Sequence, residues 1–249
     1  MKTSSKLLAV AVLLLVTAAI VNALTLKSRF KAMRMHTSVR LAEFPVTDFR
    51  SIELSGSAPQ GMALQIIVKR ADRFAVRYTK YLGFIHVAQV GSTLKVTIDH
   101  HKKYEGNMRI RPEIIIECPE LVAITAAGTP LDSLDLPEGT HVFTRLHHQK
   151  GFVTIEGFSA TAMDVFAADG MEVTLDSLAI DSLTARTDRA GMVHIQRNAL
   201  GHADLTVGNG TTITLDHTQI GTVTTDVAEK GQFIVKGTQL TARSALSAH

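Results

Sequence analysis

The sequence predicts an all-β chain that folds as a parallel β-helix, or β-solenoid, with rungs of about twenty residues, behind an N-terminal membrane-anchor or signal helix. Three observations carry this. Between residues 150 and 240 apolar side chains return every twenty positions, polar and apolar residues alternate within each repeat, and a glycine precedes each repeat.

Every twentieth residue from Val153 gives Val153, Val173, Val193, Ile213 and Phe233; from Ile155 it gives Ile155, Leu175, Ile195, Leu215 and Val235. The position between them reads Thr154, Thr174, His194, Thr214 and Ile234. Successive side chains of a strand point to opposite faces, so the two apolar columns share one face and the middle column faces the other way. A third column, Ala160, Ile180, Leu200, Ile220 and Leu240, is apolar, and so is a fourth, Met163, Leu183, Ala203 and Val223, until Arg243 breaks it. Gly151, Gly170, Gly191, Gly210 and Gly231 mark the turns, and their wobble of one residue suits a turn needing permissive backbone at roughly one place. One rung cannot bury its own apolar face; stacking parallel rungs about 4.8 Å apart makes a continuous core.

The solenoid domain is expected over 44–243, with regular rungs over 150–240 and an imperfect earlier rung at Leu134 and Leu136. Ile52 and Leu54 alternate with polar neighbours. Ala63–Lys69, Phe74–Thr79, Gly83–Gln89, Leu94–Asp99 and Arg109–Glu117 read as further strands, bounded by Gly, Asn and Asp. Residues 44–118 are expected to cap or begin the same solenoid. The polar tail Ser244–His249 marks where stacking stops, and an uncapped end exposes strand edges that favour self-association.

Lys2 and Lys6 precede an apolar run from Leu7 to Leu24, broken only by Thr17 and Asn22. Residues 1–24 therefore read as a signal anchor or a signal peptide, with Val21-Asn22-Ala23 as a candidate cleavage site. The run is long for a signal core, which favours an uncleaved anchor. No cysteine lies nearby to carry a lipid. Residues 25–43 form a basic juxtamembrane linker. Its Lys27, Arg29, Lys31 and Arg34 nearly balance the charge on the other flank and leave orientation open.

The formal charge of +3 is unevenly placed: residues 1–42 hold seven Lys/Arg and no acid, leaving 19 basic and 23 acidic residues in 43–249. The basic character points to a membrane surface, not to nucleic acid. Ten Phe, three Tyr and no Trp also disfavour recognition by stacking.

Phe49-Arg50-Ser51-Ile52-Glu53-Leu54-Ser55-Gly56, Gly91-Ser92-Thr93-Leu94-Lys95-Val96-Thr97-Ile98 and Ile114-Ile115-Ile116-Glu117-Cys118-Pro119-Glu120-Leu121 resemble the opening, the glycine-then-strand element and the Pro-x-Leu strand end of one bacterial family. This is the head GIN domain family of proposed autotransporter adhesins, and the resemblance covers about residues 44–240. It implies a cell-surface β-solenoid behind a signal or anchor segment, and it brings no defined catalytic residues. The family's repeated Ser-Gly-Ser-Gly turns are reduced here to single glycines, with Ser55-Gly56-Ser57 and Gly208-Asn209-Gly210 remaining.

No catalytic, cofactor-binding or metal-binding residue is assigned. The outward column Glu156, Asp176, Gln196, Asp216 and Lys236 places two carboxylates on adjacent rungs, about 5 Å apart. Such a pair could bind Ca²⁺ or share a raised pKa, but a charged row more often solvates a strand face. His100-His101 and His147-His148 point to opposite faces and do not chelate alone; His194 and His217 lack metal-ligand spacing. Cys118, the single cysteine, reads as a buried apolar residue at a strand end. Lys69-Arg70 and Lys102-Lys103 read as solvated loops. Phosphate-loop, GxGxxG, HExxH and GxSxG patterns are absent.

The leading expectation is a non-enzymatic envelope or surface protein, held to a membrane through residues 7–24, whose periplasmic or surface solenoid meets a polysaccharide or protein ligand. A bactofilin-like scaffold self-associating through the solenoid ends is the second. A polysaccharide-active enzyme using Glu156 and Asp176 is the third.

Overall fold

The structure, a computed structural model, describes residues 41–57, 64–79, 83–99, 113–130, 151–240 and 245–248, the side chains of Leu240 and 245–248 excepted. The expected anchor, most of the linker and the imperfect rung at Leu134 and Leu136 lie outside these. No helix of the described residues is long and apolar enough to cross a membrane.

The described residues are all-β. The first part contributes β1 (Leu41–Phe44), β2 (Ser51–Gly56), β3 (Leu64–Arg70), β4 (Ala75–Thr79), β5 (Ile85–Val90), β6 (Thr93–Ile98), β7 (Glu113–Cys118) and β8 (Ala123–Ala127). The second contributes β9 (Gly151–Glu156), β10 (Ser159–Ala168), β11 (Met171–Asp176), β12 (Ala179–Thr187), β13 (Met192–Gln196), β14 (Ala199–Val207), β15 (Thr212–Asp216), β16 (Gln219–Val227), β17 (Gln232–Lys236), β18 (Gln239–Leu240) and β19 (Ala245–Ala248). They form two largely parallel sheets, consistent with a β-solenoid. The first has the order β1-β4-β7-β3-β9-β11-β13-β15-β17, and the second β18-β16-β14-β12-β10-β8-β2-β6-β5, with β19 also on β16.

From β9 onward the chain alternates between the sheets, and the twenty-residue columns are strand register. Val153 lies beside Val173, Val173 beside Val193, Val193 beside Ile213 and Ile213 beside Phe233. On the second sheet Ala160, Ile180, Leu200, Ile220 and Leu240 stack in the same way. Val173, Leu175, Leu183, Val193, Ile195, Ala203 and Ile213 are fully buried between the sheets. Each buries its apolar surface against the rung above and the rung below.

The first part both begins and caps this stack, and its order departs from the sequence. β2 and β3 pair in parallel with β8 and β9, while β6 and β7 lie on the far side of β2 and β3. The chain thus lays one rung, steps outward for a second, and returns to continue on the inner side. β4, β1 and β5 pair antiparallel at that outer end. β1 begins at Leu41, inside the stretch read as linker. β8 was not anticipated at all.

The turns refine the glycine reading. Gly170 and Gly210 sit at φ +80 and +69, as expected of permissive backbone. Gly191 is needed for space: a Cβ there would lie 2.0 Å from the Ala167 carbonyl oxygen. The opposite corner keeps strict period. Gly157, Ser177, Arg197, His217 and Gly237 are all left-handed, with φ of 77, 57, 57, 47 and 57. Beside it runs a buried corner column, Phe158, Leu178, Asn198 and Thr218. It turns polar without leaving its groups unpaired. Asn198 Oδ1 accepts from the Leu178 N–H at 2.6 Å, Asn198 Nδ2 donates to the Leu175 carbonyl at 3.0 Å, and Thr218 Oγ1 donates to the Ile195 carbonyl at 3.1 Å.

Candidate functional site: the outward faces of the stacked rungs

Because inward positions are taken by the core, chemistry can reside only on the outward faces and at the corners. On the first sheet Glu156, Asp176, Gln196, Asp216 and Lys236 stand in register, as the sequence spacing requires. The first part extends the row, with Lys69 beside Glu156 and Glu117 beside Lys69.

Of the Glu156–Asp176 pair, Asp176 is already engaged by a cation. Arg197, on the next rung, holds Asp176 in a fork: its Nε donates to Oδ1 at 2.9 Å and its terminal nitrogen to Oδ2. The Arg197 hydrogen bond, helped by Ser177, outweighs burial and holds the Asp176 carboxyl below the usual range. Arg189 grips Asp169 at the other corner in the same way, at 2.8 and 2.9 Å. Both forks join neighbouring rungs and staple the stack.

Glu117 is the most buried carboxylate of the row. Lys69 at 3.2 Å, Arg73 at 3.2 Å and Arg77 at 2.6 Å surround it. Burial pushes its pKa up, but the three cations outweigh it, and the net direction is down. Cys118, next in the chain, is fully buried at the end of β7, and burial pushes its thiol up to about 12. It is inert as a nucleophile.

His194 Nε2 lies 3.4 Å from Glu172, and His217 Nδ1 lies 2.7 Å from Asp216. The two histidines occupy neighbouring rungs, three positions apart along the strand. Among the described residues no group of three or more His, Cys, Asp or Glu is placed to hold a metal ion. His100, His101, His147, His148, Lys102 and Lys103 lie outside the described residues.

The second sheet carries a feature that sequence reading missed. An open furrow of about 740 Å³ crosses the strands β10, β12, β14 and β16 near their starts. Ser159, Ala179 and Ala199 line one side, and Asp181, Gly201 and Gly221 the other. The backbones approach closely there: a Cβ on Gly201 would lie 2.6 Å from the Asp181 carbonyl oxygen, and one on Gly221 2.3 Å from that of Gly201. The twenty-residue spacing of Gly201 and Gly221 was the available signal. A hollow of about 570 Å³ lies at the corner near Lys69, Asp72, Glu156 and Ser177.

Two packed, largely parallel sheets with outward rows and a cross-rung furrow define the class: an all-β protein that offers an extended surface. No protein-family model matches the chain, that of the head GIN domain included, and no curated protein matches it. Its fold is similar to that of a crystal structure from Bacteroides fragilis described as a putative adhesin. The TM-score is 0.53 at 17% identity, over 84% of this chain and 96% of that one. A Parabacteroides merdae protein, also described as a putative adhesin, aligns with a TM-score of 0.43 at 10% identity, over 84% of this chain and 92% of that one. A Parabacteroides distasonis protein described as a putative lipid binding protein aligns with a TM-score of 0.41 at 13% identity, over 81% of this chain and 95% of that one.

Proposed function

We propose that the chain is a non-enzymatic bacterial envelope or surface protein, an adhesive β-solenoid of the head GIN type. Residues 7–24 tether it to a membrane, and the rungs lie in the periplasm or at the cell surface. The furrow across four rungs is the observation that carries this reading. It offers a run of small, polar-lined positions to an extended ligand, a polysaccharide or protein segment of the envelope. Affinity then comes from many weak contacts summed along the stack rather than from one pocket. The description of the Bacteroides fragilis protein of similar fold supports the same reading.

Protease access tests the location. Digestion of the rungs in intact cells, or only after the outer barrier is opened, is the expected result. Protection until lysis places them in the cytoplasm and overturns the adhesive role.

The second reading is a bactofilin-like scaffold, favoured by the open edge of β17, where the core residue Val235 is 49% exposed. Filaments in negative stain at physiological salt would establish it. The enzyme reading rests on Glu156 and on an Asp176 whose carboxylate Arg197 holds.

A further inference from the structure

The two ends of the stack are built differently. At the outer end antiparallel β1, β4 and β5 close the sheets, and Phe49, Val76 and Phe84 are buried. Phe74 packs edge-on against Phe49 with ring centroids 5.3 Å apart. At the other end β17 pairs only with β15 among the described residues, and its residues run exposed, intermediate, intermediate, exposed, exposed. Val235 belongs to a column whose preceding members, Ile155, Leu175, Ile195 and Leu215, are all buried. Among the described residues nothing is stacked on the last rung, whose core face is partly exposed.

From this we infer that the β17 end binds a second copy of this chain about a twofold axis, forming a closed back-to-back dimer. The edge is self-complementary. The Gln232 N–H donates to Thr211 and the Lys236 carbonyl accepts from His217, both at 2.9 Å. The even-numbered residues of β17 thus spend their backbone groups on β15. Phe233 and Val235 turn theirs to the open side.

A twofold axis normal to the sheet, midway between the two strands beside Ile234, sets β17 antiparallel to its copy. Phe233 then forms a hydrogen-bonded pair with the second copy's Val235, and the reverse, while the two Ile234 residues meet as a non-hydrogen-bonded pair. The apolar positions meet each other on the core face. On the outer face Lys236 meets Gln232, so no like charges oppose. The same axis lays the second sheet against its own copy. An isologous contact of this kind closes and does not propagate. This inference replaces filament growth at that end with a closed pair and is independent of adhesion, since cross-linking reads the contact and protease access reads the location.

The test is disulfide cross-linking of the full chain in detergent. Cys118 is buried, so a thiol at Ile234→Cys is the accessible one. Across a non-hydrogen-bonded pair the Cα atoms lie about 4.5 Å apart, within disulfide reach. Oxidation is expected to give a covalent dimer with Ile234→Cys and none with Thr174→Cys, three rungs away. Val235→Asp in the Ile234→Cys background is expected to cut the yield at least about tenfold. Light scattering of the chain without added cysteines is expected to give a dimer that Val235→Asp dissociates. A monomer with no Ile234→Cys cross-link overturns the inference. So does a ladder of higher species when Glu43→Cys on β1 is combined with Ile234→Cys, which is the signature of head-to-tail stacking.

Discussion

Residues 151–240 and residues 41–130 build the same two sheets by different means. In the later region each rung repeats the last at an interval of twenty, so every core position has the same neighbours above and below. In the earlier region the strands interleave, β7 lying outside β3, and two strands, β4 and β5, reverse direction. Its stability rests more on particular residues: the Phe49–Phe74 contact and the Glu117 cluster. Regular stacking spreads stabilisation over identical contacts, whereas a cap must terminate them with residues chosen one at a time.

The largest expected effect lies in the middle of the regular stack. Ile195→Ala should cost about 3–4 kcal/mol in denaturant unfolding, since Ile195 is fully buried between two rungs. Val235→Ala, in the same row at the exposed end, should cost under about 1 kcal/mol at protein concentrations where the chain is monomeric. Equal costs would remove the contrast between interior and end.

The corner column comes next. Asn198→Ala removes two buried hydrogen bonds and should cost about 2 kcal/mol, with Asn198→Leu, the residue one rung earlier, recovering part of it.

In the cap, Glu117→Gln should cost about 2 kcal/mol by leaving three cations around a neutral amide. Glu117 and Asp176 have folded pKa values below their ordinary 4.5 and 3.8. Their contribution is present above those values and lost as pH falls through the folded ones. Acid titration of the chain carrying Glu117→Gln should show a shallower loss of stability below about pH 4.5.

The smallest effect concerns the left-handed corner. Arg197→Gly loses an exposed fork but relieves φ +57, and should be near neutral. Arg197→Ala keeps the strain and should be about 1 kcal/mol less stable than Arg197→Gly.

The regular rungs were legible because an integral repeat of twenty turns register into columns that can be read directly from the sequence. In the earlier region β3 to β7 were legible to within a few residues from alternation, β-branched residues and the Gly, Asn and Asp that bound them. β8, Ala-Ile-Thr-Ala-Ala, escaped because alanine has little strand preference, and β1 because it is four residues long beside a basic stretch. The interleaved strand order leaves no local trace. Ser177, Arg197 and His217 gave no sign of a left-handed corner, since these types occur anywhere. The furrow was hidden because its small, outward residues lack a hydropathy pattern, and the Asp176–Arg197 fork because it joins residues 21 apart across a corner.

The central claim, that the furrow is the ligand-contacting face, is tested most directly by filling it. The full chain is set in liposomes and passed over beads coated with bacterial capsular polysaccharide. Ala179→Trp and Ala199→Trp, at exposed positions in the furrow, should lower retention at least about tenfold, while Thr224→Trp, exposed on the same sheet outside it, should leave retention unchanged. Equal retention of all four proteins, or no retention of any, contradicts the account.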